Sequence, residues 1–83
     1  MDITVLKENL RESIFRTSSR NEEIALNDHI NLDADLGYTS MEMIQLIVDL
    51  ENLFDIEIPD EYLNDEMYNY GNIEKIIISL VMN

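Results

Sequence analysis

The fold of this chain is decided by residues 35–61, DLGYTSMEMIQLIVDLENLFDIEIPDE. Apolar residues in the middle of this stretch recur at helical spacing, which predicts an amphipathic helix from Ser40 to about Phe54. Thr39 or Ser40 supplies the capping oxygen at its start. Glu42 lies in the first turn, where a negative charge complements the positive end of the helix dipole.

Further helices are predicted on both sides of this segment. An N-terminal helix covers about residues 3–15, with Asp2 as its N-cap. Pro59 ends an extended stretch and precedes a short helix over about residues 60–65. A last helix covers about residues 72–81. The fold class is therefore all-α, with three longer helices and one short helix.

A long first loop connects the N-terminal helix to Ser40. Connections of this length in compact domains are usually functional or disordered. One or two short turns are predicted around residues 22–27. Spaced apolar residues favour an ordered loop that is pinned to the core: Ile24, Leu26, Ile30, Leu32 and Leu36.

Charge is the most extreme global feature of the chain, and it is unevenly placed. The formal net charge is −13. Residues 1–20 hold four basic side chains, whereas residues 21–74 hold fifteen acidic side chains and no Lys or Arg. A field of this sign repels nucleic acid and anionic lipid and attracts basic protein surfaces. Solubility alone is the simpler explanation of the same charge.

The length and composition of the chain limit the classes of protein to which it can belong. Eighty-three residues with 46% hydrophobic content predict one domain over residues 1–83 with an ordinary core. The absence of cysteine excludes a disulfide framework, and one histidine with scattered carboxylates predicts no metal site. No apolar run approaches the about 20 residues of a membrane span, and the first residues lack the features of a signal peptide. The expected compartment is the cytoplasm.

The helix that starts at Ser40 has more apolar surface than a small bundle requires. Its core-facing stripe is formed by Met43, Leu46, Ile47, Leu50 and Phe54. A second apolar stripe, which is turned away by roughly 130°, is formed by Met41, Ile44 and Val48. This second stripe either packs against the long loop or the last helix, or it is a docking surface for a partner.

The segment around Ser40 resembles the signature of the phosphopantetheine-dependent carrier protein family. The family pattern is an acidic residue, Leu, Gly, any residue, usually Asp, then Ser and Leu at the start of a helix, and residues 35–41 read DLGYTSM. The resemblance continues without a gap to the sequence IEIP at residues 56–59. It is strong over about residues 30–61 and weaker over the flanking helices. The fold that it implies is a four-helix bundle of the acyl carrier type.

By this resemblance, Ser40 carries a covalent 4'-phosphopantetheine arm that is transferred from coenzyme A by a phosphopantetheinyl transferase. The chain is then a non-catalytic, monomeric carrier of acyl, aminoacyl or peptidyl intermediates, which are held as thioesters. Its other partners are loading, condensing and modifying enzymes with basic docking surfaces. The residues that match partner contacts of the family are Met41, Glu42, Ile44, Val48, Asp49 and Glu51, and an acidic rim of Glu57, Asp60 and Glu61 extends them.

The chemistry near Ser40 is compatible with this role. No lysine lies within the motif, and His29 is the only histidine of the chain and is distant in sequence. A catalytic serine needs a base within reach, so Ser40 is better explained as the substrate of another enzyme. The structural alternative is an ordinary helix N-cap. The functional alternatives are an unmodified, carrier-like interaction module and, less favoured, a hydrolase with Ser40 as nucleophile.

Two departures from the family pattern bear on the pathway. Thr39 stands where Asp is usual, and Gln45 and Asn52 are neutral where carriers of general fatty acid synthesis tend to be acidic. These residues favour a dedicated carrier of polyketide or nonribosomal peptide biosynthesis. A fatty acid carrier and a D-alanyl carrier remain as alternatives within the family.

Overall fold

The computed structural model describes residues 2–19 and 24–82. Within these residues the secondary structure is helical, and no β-strand is formed apart from an isolated bridge between Asn31 and Asn69. The prediction of an all-α fold is confirmed. The described elements are α1 (Ile3–Thr17), α2 (Leu32–Leu36), α3 (Ser40–Phe54), two 3-10 turns (Asp60–Tyr62 and Asp65–Tyr68) and α4 (Tyr70–Met82).

Helix α1 begins as predicted and ends two residues later than predicted. The Asp2 carboxylate accepts a hydrogen bond of 2.8 Å from the backbone N–H of Thr4, which confirms Asp2 as the N-cap. At the other end, the Ser18 N–H donates to the Ile14 carbonyl over 3.1 Å and extends the helix to Thr17. Ile3, in the first turn of this helix, is 43% exposed.

The core lies where α1, α3 and α4 meet. Each helix contributes apolar residues at helical spacing. Those with no exposed surface include Leu6 and Leu10 of α1, Leu46 and Leu50 of α3, and Ile73 and Ile77 of α4. Packing of these amphipathic faces supplies most of the stability of such short helices. The core therefore fixes α3, and with it the position of Ser40.

The long first loop contains an α-helix that the sequence analysis missed. Helix α2 is only five residues long, too short for helical periodicity to indicate it against a loop. Of the turns predicted around residues 22–27, none is formed over residues 24–26, and residues 22–23 lie outside the described residues. A turn begins at Asn27 instead, where the Ile30 N–H donates to the Asn27 carbonyl over 3.0 Å. The pinning role of the loop residues is confirmed, since Leu32 and Leu36 are buried and Ile24, Leu26 and Ile30 are partly buried against the core.

The loop is also held by polar contacts to the start of α4. The Tyr70 N–H donates to the Ile30 carbonyl over 2.9 Å, and the Asn69 side-chain amide donates to the Asp28 carbonyl over 2.9 Å. These contacts satisfy backbone groups that a loop would otherwise expose. They order the segment that leads into α2 and then to Ser40.

The segment after Pro59 differs from its prediction. The helix expected over residues 60–65 is instead two 3-10 turns, because Asn64 interrupts it and caps the second turn through a 2.9 Å hydrogen bond from the Glu66 N–H. Helix α4 begins at Tyr70, two residues earlier than predicted. Among the residues that the structure describes, no helix combines the length and the apolar character needed to cross a bilayer.

Candidate functional site

Ser40 is the first residue of α3, and its side chain is exposed. The capping residue is its neighbour Thr39, whose hydroxyl accepts a 3.1 Å hydrogen bond from the Glu42 N–H. The Glu42 carboxylate accepts a 3.0 Å hydrogen bond from the Thr39 N–H, which completes a capping box. Ser40 is therefore not the N-cap, and its hydroxyl is not needed to satisfy the helix backbone.

The chain reaches Ser40 through a sharp turn at the end of α2. Gly37 adopts a left-handed conformation, with φ of 69° and ψ of 24°, that a residue with a side chain rarely adopts. Its N–H donates to the Asp33 carbonyl over 3.1 Å, which terminates α2. The turn at Gly37 places Thr39 and Ser40 at the start of α3.

Tyr38 anchors this turn to α1, and the sequence analysis did not assign it a role. Its ring is buried, and its hydroxyl donates a 2.6 Å hydrogen bond to the Ile14 carbonyl. Burial raises the pKa of the Tyr38 hydroxyl, so the group remains a neutral donor. Tyr38 stands at the position of the family pattern that takes any residue, which is why the motif carried no signal for it.

Glu42 is buried, contrary to its expected role as a docking residue. Its carboxylate also accepts a 2.7 Å hydrogen bond from the Ser19 N–H, so it joins the segment after α1 to the first turn of α3. The hydrogen bond from the Thr39 N–H is the main reason that the pKa of Glu42 is lowered, and the Ser19 N–H adds to it. This carboxylate is therefore engaged within the chain.

Asp49 and Glu51 also use their carboxylates within the chain. Asp49 accepts hydrogen bonds from the Ser13 hydroxyl and the Arg16 guanidinium, both on α1. The Ser13 hydrogen bond is the main cause of the lowered pKa of Asp49, and the Arg16 charge contributes to it. Glu51 accepts a 2.9 Å hydrogen bond from the Ile58 N–H. Sequence reasoning missed Ser13, a fully buried polar residue whose partner lies on a different helix.

The second apolar stripe of α3 is exposed. The exposed fraction is 64% for Met41, 59% for Ile44 and 50% for Val48. The stripe therefore does not pack against the loop or the last helix, which was the structural explanation that the sequence left open. Glu57, Asp60 and Glu61 are exposed beyond the end of the same helix.

A shallow depression of about 240 Å³ opens beside Ser40. It lies between the first turns of α3 and the second 3-10 turn, and its lining is mainly apolar: Met43, Ile44, Leu63, Met67 and Tyr68, with Asn64 and Asp65 at the edge. None of the described residues that line it is a His, Lys or Arg. Nothing in this lining resembles the base and orienting group of a hydrolase triad.

Comparison with known proteins decides the family. The sequence matches the family described as "Phosphopantetheine attachment site" over residues 10–78. The chain belongs to the phosphopantetheine-dependent carrier protein family. This match includes α2, α3, the second half of α1 and most of α4, so it extends from the motif into both flanking helices.

The carrier is also similar to curated bacterial acyl carrier proteins. It is 33% identical over 61 residues to the acyl carrier protein of Syntrophobacter fumaroxidans, a match that covers 74% of each chain. It is 39% identical over 56 residues to that of Buchnera aphidicola subsp. Acyrthosiphon pisum, with 68% of this chain and 69% of the relative covered. A shorter match, 44% identical over 43 residues, relates 52% of this chain to 54% of the Helicobacter pylori protein.

The residues around Ser40 fit the covalent group of the family, 4'-phosphopantetheine. Attachment requires an accessible hydroxyl, and the Ser40 side chain is exposed and is not the helix cap. A phosphodiester attached there would be an anion, which the positive end of the α3 dipole would stabilise. Members of this family are carriers rather than catalysts, and they interact with biosynthetic enzymes. The site thus contains what a carrier requires.

Proposed function

We propose that this protein carries biosynthetic intermediates as thioesters on a 4'-phosphopantetheine arm attached to Ser40. The observation that carries the proposal is that Ser40, the first residue of α3, is exposed and does not cap the helix, because Thr39 makes the capping hydrogen bond. The alternative of a serine that serves only as an N-cap requires a hydrogen bond that Thr39 makes instead.

Attachment is the work of a separate phosphopantetheinyl transferase. The Ser40 oxygen bonds to a phosphorus of coenzyme A, the phosphoanhydride bond breaks to release the nucleotide, and the serine proton passes to a base on the transferase. No base on this chain is required, in keeping with the absence of His, Lys and Arg from the described residues that line the adjacent depression. When bound, the arm supplies a terminal thiol on which an acyl, aminoacyl or peptidyl group is held.

The role of the chain itself is to hold the attachment point in place for partner enzymes rather than to catalyse a reaction. The capping box fixes the backbone at Thr39, and the Tyr38 hydrogen bond fixes the turn before it. The attachment point is therefore held on a rigid element, while the exposed stripe of Met41, Ile44 and Val48 lies on the same helix for partner enzymes to contact. Loading, condensing and modifying enzymes are the proposed partners.

The cargo is proposed to be an acyl group of a dedicated pathway. The name of the curated relatives, acyl carrier protein, supports an acyl cargo. The neutral Gln45 and Asn52 on α3 and the Thr39 cap support a polyketide or nonribosomal peptide pathway over general fatty acid synthesis. The two features are compatible, because polyketide intermediates are themselves acyl thioesters.

The test is modification in vitro. The apo protein is incubated with coenzyme A, Mg²⁺ and a phosphopantetheinyl transferase of broad specificity, and its intact mass is measured. We expect the wild type to gain one phosphopantetheine, Ser40→Ala to gain none, and the matched control Ser79→Ala, at an exposed serine of α4, to gain one. A wild type that gains no mass would favour the unmodified interaction module instead. A Ser40→Ala protein that gains the phosphopantetheine mass would show that the attachment site is another residue.

A further inference from the structure

The methionines that the structure describes differ widely in exposure, and the most exposed of them directly follows Ser40. Met41 is 64% exposed, and Met82, at the end of α4, is 50% exposed. Met43 and Met67 are 6% and 1% exposed and belong to the core. Because the backbone of a helix is covered by its own turns, exposure on this scale belongs to the side chain. The thioether of Met41 is therefore accessible to small reagents in solution.

Position 41 is also a departure from the family pattern. The pattern has Leu after the serine, and this chain has Met41. The two side chains are similar in volume and apolar character, so either can form part of an apolar surface. They differ in reactivity, because peroxides oxidise the thioether of methionine to a sulfoxide, whereas the leucine side chain has no sulfur to oxidise. The chain therefore carries an oxidisable group beside Ser40 where the pattern has an inert one.

We propose that Met41 is a peroxide-sensitive modification site, and that its sulfoxide slows attachment of the arm to Ser40. In the reaction, the Sδ atom of Met41 attacks one oxygen of hydrogen peroxide or of an organic hydroperoxide. The sulfur–oxygen bond forms as the oxygen–oxygen bond breaks, and the sulfur is oxidised by two electrons. The second oxygen takes the proton and leaves as water or as an alcohol. This inference rests on the proposed function and adds a way in which that function is regulated.

Oxidation changes the surface that an enzyme has to cover in order to reach Ser40. Met41 is adjacent to Ser40 in the chain, and it lies one helical turn from Ile44, which is also exposed. A sulfoxide is polar and accepts hydrogen bonds, so covering it with a surface that supplies no donor costs free energy. The stability of the bundle changes little, because Met41 is not part of the core. The sulfoxide is thus expected to weaken the encounter with the transferase without unfolding the carrier.

The first measurement identifies the methionine that reacts. The apo protein is treated with hydrogen peroxide for increasing times and is then cleaved after glutamate. This cleavage places each methionine of the chain on a different peptide, namely residues 1–8, 24–42, 43–51, 67–74 and 75–83. Met41 is expected to gain one oxygen at least about tenfold faster than Met43 and Met67, because oxidation of a core methionine requires local opening of the fold. If Met41 reacts as slowly as these two residues, the inference is wrong.

The second measurement is the effect of this oxygen on attachment of the arm. The KM and kcat of a phosphopantetheinyl transferase are measured for the wild type, for Met41→Leu and for the matched control Met82→Leu, each before and after peroxide treatment. Catalase removes the peroxide before the assay, and circular dichroism shows that each treated protein is folded. Treatment is expected to raise KM by about tenfold for the wild type and for Met82→Leu, since burial of an unpaired polar group costs free energy of this order. Treated and untreated Met41→Leu should differ in KM by less than about twofold.

Reduction of the sulfoxide is the matching reversal, and the outcomes separate this inference from the proposed function. Methionine sulfoxide reductases of both types, which together act on the two sulfoxide epimers, are expected to remove the oxygen from Met41 and to restore KM. If the oxidised wild type keeps its KM, or if treatment raises the KM of Met41→Leu as much as that of the wild type, the regulatory role of Met41 is wrong while the carrier function stands. If the untreated wild type is not modified by the transferase, the proposed function itself fails.

Discussion

Replacement of Glu42 is the change that most sharply distinguishes an internal carboxylate from a docking one. In the structure this side chain joins two parts of the chain, since it accepts hydrogen bonds of 3.0 Å from the Thr39 N–H and 2.7 Å from the Ser19 N–H. A docking carboxylate would contribute little to the folded state on its own, whereas this one completes the capping box of α3.

The magnitude follows from these contacts. A hydrogen bond to a charged group contributes about 1.5–3 kcal/mol, and a carboxylate near a helix N-terminus adds about 0.3–1 kcal/mol. Because water compensates partly for the freed N–H groups, we expect Glu42→Ala to lower the free energy of unfolding by about 2–3 kcal/mol. Glu42→Gln keeps one acceptor oxygen but not the charge, so its expected loss is about 1 kcal/mol.

Urea unfolding at pH 7, followed by circular dichroism, measures these differences. Thr39→Ala, which removes the other half of the box, is expected to cost about 1 kcal/mol. Its combination with Glu42→Ala should cost less than the sum, since the two residues share one motif. Glu12→Gln, on the exposed surface of α1, is the charge control and should lie within about 0.5 kcal/mol of the wild type. A Glu42→Ala protein as stable as this control would refute the internal role.

Three other substitutions test separate contacts by the same unfolding assay. Asp49→Asn should lower stability at pH 7 by about 1–2 kcal/mol, because it weakens the pairing of the buried Ser13 hydroxyl. The pKa of Asp49 is lowered in the folded state, so its carboxylate stabilises the fold above the ordinary Asp range, and this stabilisation is lost as the pH falls through the folded pKa. The difference in unfolding free energy between Asp49→Asn and the wild type should therefore shrink in acid. A difference that stays constant with pH would contradict this. Tyr38→Phe should cost about 1 kcal/mol, because it removes one of the two hydrogen bonds to the Ile14 carbonyl and leaves only that from the Ser18 N–H. An unchanged midpoint would contradict the anchoring role. Asp55→Gly should raise the free energy of unfolding by roughly 0.5–1 kcal/mol, because Asp55 holds a left-handed φ of 53° at the C-terminus of α3 that glycine adopts without strain. A destabilised variant would show that this conformation carries no strain.

The long helices were predictable because each repeats its apolar residues over several turns. Helix α3 was predicted with the bounds that it has, since Thr39 and Glu42 mark its start and Phe54 closes its stripe. Helix α2 was not predictable in this way, because five residues hold only Leu32 and Leu36 as a helical pair. The two 3-10 turns were mistaken for one helix for a similar reason, since local composition does not show where Asn64 interrupts the segment.

At the candidate site, sequence identified the residue types but not their partners. The family resemblance pointed to Ser40 and to the stripe with Ile44, and both are exposed. The resemblance also grouped Glu42 and Asp49 with the docking residues. The sequence could not correct this, because a helical wheel shows which face of a helix an acidic residue occupies but not what packs against that face. Only the position of α1 shows that Ser13 meets Asp49. Long-range pairing of this kind depends on tertiary structure, which local periodicity does not contain.

The central claim is that the arm is attached to the Ser40 oxygen, and peptide mapping of the modified protein tests it most directly. Cleavage after glutamate releases residues 24–42, a peptide in which Ser40 is the only serine and Thr39 is the adjacent hydroxyl. After incubation with coenzyme A and the transferase, fragmentation of this peptide in the mass spectrometer is predicted to place one phosphopantetheine on Ser40. A modification found on Thr39 or in another peptide, or none in any peptide, would contradict the account.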